Sequence, residues 1–184
     1  MVEVMDTTLR DGEQMRDVSY TPNEKLSIAQ ILLEEARVDR IEVASAGVSE
    51  GEHAGAKLVV EWAVSHGIGE RVEILGFTDG ALSAGWIADL GGKVMNVLAQ
   101  GSLNHLTNQL RKTPEQHLKD IDETVRQANL VGVGCNIYLE DWSNGMLNSP
   151  DYVFALIHGL ADTPALRVML PDTLGILAPQ MVSE

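Results

Sequence analysis

The sequence predicts a parallel α/β fold made of about six β/α units, the first six of a (β/α)8 barrel. Three observations carry this. Short apolar runs alternate strictly with helical segments along the 184 residues, and strict alternation gives a parallel sheet with right-handed crossovers. No charge block or low-complexity linker interrupts the alternation, so the chain reads as one domain. Parity within the strands then separates barrel from doubly wound sheet. Glu42, Glu73, Asn96, Asn136, Tyr138 and Glu140 fall on one face of their strands; Ile41, Val43, Val72, Ile74, Val97, Cys135 and Ile137 fall on the other. A doubly wound sheet is covered by helices on both sides and is apolar on both. One polar face suits a barrel interior whose upper end is a site.

Each element follows from its residues. Val2–Met5 is an apolar run and reads as the first strand. Thr21-Pro22-Asn23-Glu24 opens a helix: Thr is the N-cap, Pro takes N1, and Glu at N3 completes a capping box. Leu26, Ala29, Ile31, Leu32 and Leu33 follow helical spacing. Asp39–Ala44 is the second strand, and a helix runs from about Glu52 to His66. Arg71–Phe77 is the third strand, followed by a helix near Gly80–Leu90. Lys93–Leu98 is the fourth. Thr113-Pro114-Glu115-Gln116 is another capping box, with its helix continuing to about Val131. Val133–Leu139 is the fifth strand, and Ser149-Pro150 caps a helix to Leu160. Arg167–Leu170 is the sixth, and Pro179 begins one more helix. A complete barrel has eight strands and typically about 250 residues. Residues 1–184 are therefore expected to be the N-terminal part of a barrel catalytic domain that lacks strands seven and eight.

Composition limits the function. Net charge is −14, and an acidic surface repels phosphate backbones, which argues against nucleic acid as a partner. No apolar run reaches the roughly 18 residues of a membrane span, and the start carries no signal-peptide pattern. The lone Cys135 excludes an internal disulfide and fits a reducing cytoplasm; its outward parity makes it a buried small hydrophobe. Aromatics are 4% of the chain, so the core rests on Leu, Val, Ile, Ala and Met.

The polar run Asp6-Thr7-Thr8-Leu9-Arg10-Asp11-Gly12-Glu13-Gln14 follows the first strand, where α/β folds keep their chemistry. A carboxylate there, Asp11, suits a hard or borderline divalent cation. Arg10 suits a substrate carboxylate or a developing oxyanion; the alternative is a structural ion pair at the barrel rim. An inward Glu42 needs a partner, and Arg10 on the adjacent strand is the obvious one. Asn136, Tyr138 and Glu140 alternate and so point the same way; a phenol and a carboxylate in one cavity position a small substrate and relay protons. Leu75 and Leu98 share that face and would make the wall apolar, or are plain core leucines. In Pro171-Asp172-Thr173-Leu174-Gly175, the Thr173 hydroxyl and turn amides could grip a carboxylate, with an ordinary turn as the alternative. The five histidines show no metal-ligand spacing and read as surface or capping residues. His105 is the exception to watch, in a loop above the fourth strand.

The run from Asp6 to Gln14 resembles the opening signature of the α-isopropylmalate, homocitrate and citramalate synthases, which belong with hydroxymethylglutaryl-CoA lyase to the DRE-TIM metallolyases. Pro171–Gly175 resembles the family's strand-six motif. Leu75-Gly76-Phe77 and Asn136–Gly145 look most like the citramalate synthase branch. The resemblance covers essentially the whole chain. It implies a TIM barrel and a Claisen-type acyltransferase: the acetyl-CoA enolate attacks the ketone of a 2-oxo acid, and the thioester is hydrolysed. It also implies a place in isoleucine and leucine biosynthesis. By position, Asp11 matches the metal-binding aspartate, with Mg2+ or Mn2+ expected and Zn2+ as the alternative. Arg10 matches the arginine that stabilises the alkoxide, and Glu42 completes the family's Asp-Arg-Glu set. Thr173 matches the threonine that holds the 2-oxo acid carboxylate. Tyr138, Glu140, Leu75 and Leu98 match residues around the substrate side chain, with Glu140 also a candidate acid or base. Two leucines and a Tyr leave room for the methyl of pyruvate, whereas a longer branched chain would clash. The expected partners are acetyl-CoA and the 2-oxo acid, with a homodimer for the full-length protein. The family's His-x-His ligands lie beyond its strand-six motif and have no counterpart here, nor has its regulatory domain. The 184 residues alone are accordingly expected to be inactive and to bind metal weakly. Alternatives are an isopropylmalate or homocitrate synthase, a carboxylate-binding lyase, or a non-catalytic partial-barrel binding or assembly protein.

Overall fold

In the computed structural model, which describes residues 2–182, six parallel strands lie side by side in the order of the chain. They are β1 (Met5–Asp6), β2 (Arg40–Ser45), β3 (Val72–Phe77), β4 (Val94–Gln100), β5 (Gly134–Glu140) and β6 (Arg167–Met169). Each pairs in parallel with the next. A doubly wound sheet reverses its strand order at a switch point. This one never does, so it is an open arc of a (β/α)8 barrel. The helices cover its outer face: α1 (Pro22–Gln30), α2 (Glu50–Ser65), α3 (Leu82–Asp89), α4 (Leu103–His105), α5 (Pro114–Leu130), α6 (Trp142–Asn148) and α7 (Pro150–Leu160). Among the described residues no helix is long and apolar enough to cross a membrane.

Both capping boxes form as the sequence implies. The Thr21 hydroxyl accepts from the Glu24 amide and Glu24 returns to the Thr21 N–H; Thr113 and Gln116 do the same. The outward residues Ile41, Val43, Ile74, Val97, Cys135 and Ile137 are fully buried against the helices. They form one continuous apolar core with Val59, Ile121 and Val125.

Several expectations are corrected. The first strand is two residues, not the Val2–Met5 run, because only one neighbour pairs with it; Val2 and Val4 are exposed. β4 runs two residues past Leu98, to Gln100. α1 continues into a π turn over Ile31–Glu35. The loop above β4 holds α4 and a π turn over Leu106–Leu110. Ser149 is the N-cap residue of α7, its carbonyl accepting from Tyr152 and Val153 N–H, but its side chain makes no capping bond; its hydroxyl donates back to the Gly145 carbonyl, and its oxygen accepts from Leu103 N–H. Pro179 opens a short 3-10 turn over Pro179–Val182. His117 is neither surface nor cap but fully buried.

Candidate active site

The loop after β1 is a tight turn hung on one carbonyl. Thr7 C=O accepts from the amides of Arg10, Asp11 and Gly12 at 3.1, 2.8 and 3.2 Å. Asp6 closes its start by accepting from Thr8 N–H. Leu9, fully buried, roots the turn in the core and leaves Arg10 and Asp11 on its upper side. Arg10 Nε donates to Glu42 Oε2 at 2.5 Å, and its Nη1 donates to Asp11 Oδ1 at 2.9 Å. The structure thus brings together Arg10 and Asp11 of the polar run with Glu42 of β2, which is buried beneath the arginine.

Four of the inward parity set, Glu42, Glu73, Asn96 and Asn136, form a hydrogen-bonded layer. Asn96 donates to Glu42 Oε1 at 2.7 Å, and Asn136 donates to Asn96 Oδ1 at 2.9 Å and to Glu73 Oε2 at 3.2 Å. Arg40 donates to Glu73 at 2.8 Å. Glu42, Glu73, Asn96 and Asn136 are all fully buried, and each finds partners, as buried polar groups must. Burial holds the Glu42 carboxyl above the usual carboxylate range, against the opposing pull of Arg10 and Asn96. Glu3 meets Arg40 of β2 and Arg167 of β6 at 3.4 Å each, so one carboxylate spans the interior from one side of the sheet to the other.

Above the layer the wall turns apolar. Leu75 is buried; Leu98 pairs in register with Phe77 on one side and Tyr138 on the other. Burial, reinforced by the negative Glu42, pushes the Tyr138 phenol upward, so it stays protonated. At the end of β5, Glu140 accepts from the Gln100 side-chain amide at 3.2 Å. Thr173 lies against the following peptide, its Oγ1 accepting from Asp141 N–H at 2.9 Å, which leaves its own proton free to donate. Asp11 has no companion ligand: among the described residues no group of three or more His, Cys, Asp or Glu side chains could hold a metal. One exposed carboxylate already engaged by Arg10 does not fit a divalent cation by itself.

Sequence reasoning missed two features of the rim. Asp141 sits in the left-handed region, φ 61°, which a non-glycine residue adopts rarely and at a cost. It is held there by Ser102 Oγ and Asn144 Nδ2, which donate to its carboxylate at 2.7 Å each, while His105 Nε2 lies 3.4 Å away. A cleft of about 670 Å3 opens beside it, lined by Ser102, His105, Asp141, Asn144, Ser149 and Leu174; Arg10 and Asp11 do not line it. The second is Gln100. Phe77, the last residue of β3, pairs with Leu98, so Gln100 has outrun its neighbour strand. His117 accepts its N–H and the Tyr152 hydroxyl donates to its C=O at 2.7 Å. Helical spacing could have found His117, which stands four and eight residues before the buried Ile121 and Val125.

The family model described as HMGL-like matches residues 1–184. The chain belongs to this family, the DRE-TIM metallolyases. It is 35% identical over 185 residues to an (R)-citramalate synthase CimA of Methanocaldococcus jannaschii, covering 100% of this chain and 36% of that one. It is 33% identical to a probable 2-isopropylmalate synthase of Ignicoccus hospitalis, over 97% of this chain and 42% of that one. The HMGL-like chain thus spans less than half the length of these relatives. In structure it matches an HMG-CoA lyase of Bacillus subtilis with a TM-score of 0.71 at 19% identity, over 98% of this chain and 61% of that one. That likeness shows the shared barrel fold.

Proposed function

We propose that this HMGL-like chain is the N-terminal part of the catalytic barrel of a condensing enzyme that joins acetyl-CoA to a 2-oxo acid, with pyruvate as the acceptor. The Arg10–Glu42 pair at the mouth of the arc carries the reading. A Claisen condensation turns a ketone oxygen into an alkoxide, and a fixed guanidinium aimed at that oxygen lowers the barrier. Glu42 engages Nε and Asp11 engages Nη1, so the fork is oriented and Nη2 remains for substrate. Relatives named as synthases support acyl-CoA-dependent condensation.

The other residues fill consistent roles in this reading. The free proton of the Thr173 hydroxyl donates to the acceptor carboxylate. Leu75, Leu98 and Tyr138 bound the space for the acceptor's side chain, leaving room for a methyl. Glu140, oriented by Gln100, takes a proton from the acetyl methyl or gives one to the CoA thiolate that departs when the thioester is hydrolysed. Asp11 is the one residue in this reading that would contribute to holding a divalent metal, Mg2+ or Mn2+, and alone it makes no site.

Assay of the full-length protein with acetyl-CoA and either pyruvate or 2-oxoisovalerate, following CoA thiol release, tests this. Faster release with pyruvate is the expected result. Preference for 2-oxoisovalerate overturns the acceptor assignment, and no release with any 2-oxo acid overturns condensation.

A further inference from the structure

Lys25 is the largest side chain fully buried in the core, 2% exposed, and the chemistry proposed above makes no use of it. A buried lysine needs compensation, since a lone buried ammonium is far more costly than a hydrogen-bonded, paired one. Lys25 has such compensation from four oxygens. Its Nζ donates to Leu9 C=O at 3.2 Å, to Val43 C=O at 3.0 Å and to Glu52 Oε2 at 3.1 Å, and lies 2.6 Å from Glu13 Oε2. Glu13 in turn accepts from Tyr20 N–H at 2.8 Å. The path of the stem is also built in: a Cβ on Gly55 of α2 would stand 2.9 Å from Lys25 Cδ.

The four oxygens belong to different parts of the mouth. Leu9 precedes Arg10, and Val43 follows Glu42. Glu13 ends the signature loop, and Glu52 lies in the first turn of α2. No other side chain described here ties the loop after β1 to the backbone of β2. We infer that Lys25 is a positioning residue: by pinning the carbonyls of Leu9 and Val43 it fixes Arg10 over Glu42. The importance of that register rests on the condensing reading, but the register itself does not.

The test uses the full-length protein in its folded state and needs no activity. In 15N-labelled protein the Arg10 Nε–H is assigned by its loss in Arg10→Lys, and its exchange with water is measured in the folded state. In Lys25→Met, exchange at least fivefold faster than wild type is expected, with Lys25→Arg partly restoring protection. A merely structural lysine would lower stability and leave this proton protected once the protein is folded; a change under fivefold overturns the inference. If Lys25→Met does not fold, Gly55→Ala decides by the same threshold. It displaces the stem, and alanine favours a helix over glycine. Absence of synthase activity in the full-length protein would sink the proposed reaction and leave this result untouched.

Discussion

The backbone N–H of Gln100 donates to Nε2 of His117 at 3.0 Å, so a helix side chain replaces the sheet partner that β3 has ceased to supply. His117 must stay neutral to accept. Burial, together with the charge of Lys112, lowers its pKa from 6.5 to about 4.

That shift sets a pH dependence. Below 6.5 the unfolded chain protonates this residue while the folded chain does not, so stability falls as pH drops from 6.5 to about 4 and is level above. The span corresponds to roughly 3 kcal/mol. Glu42, with its raised pKa, acts in the opposite sense, so the comparison must be with His117→Gln. Urea unfolding from pH 7.5 to 4.5 should show a steeper loss in wild type than in the variant; parallel curves would refute it.

Asn96 links Glu42 to Asn136. Asn96→Ala leaves a buried carboxylate oxygen without its donor, and about 2–4 kcal/mol of stability should be lost. Chemical denaturation measures it, and a loss under about 1 kcal/mol would mean the layer carries little.

Two glycines should respond oppositely. A Cβ on Gly145 would overlap the carbonyl oxygen of Gly101, whereas one on Gly85, within α3, meets nothing within 4 Å. Gly145→Ala should cost several kcal/mol, on the order of 3 or more. Gly85→Ala should gain up to about 1 kcal/mol. Thermal melts of the two variants check both signs.

Leu98 and Tyr138 are lateral neighbours above the polar layer. In the full-length protein, Leu98→Ala or Tyr138→Ala should reduce the pyruvate over 2-oxoisovalerate ratio of kcat/KM by about 10–200-fold, the range for pocket methylenes. An unchanged ratio would remove both residues from the acceptor pocket.

With no group of three or more candidate ligands among the described residues, Mn2+ should bind the 184-residue chain at Asp11 no tighter than about millimolar. Acetyl-CoA and pyruvate should give no CoA release. Calorimetry showing a saturable micromolar site, abolished in Asp11→Asn, would overturn this.

Much of the arrangement was legible because it is local. Capping boxes need four consecutive residues, and the inward layer needs only a period of two within each strand, which is why Glu42 could be assigned to Arg10. What escaped depends on where strands stop relative to their neighbours. β1 is short because it has one partner, and Gln100 recruits His117 because β3 has ended. The β2–β3 register slips between Glu42 and Ser45, which no parity count along a single strand could show. Lys25 was passed over for another reason: it lies on the buried stripe of its helix, four residues before Ala29 and eight before Leu33, yet its residue type argues for the surface.

The reach of Glu3 to both Arg40 and Arg167 bears on how such a barrel acquires its shape. Six strands already bend far enough for a residue just ahead of the first to touch the last. One carboxylate shared between two arginines therefore fastens the leading edge of the arc to its trailing edge, and a positive charge at position 3 would push those edges apart.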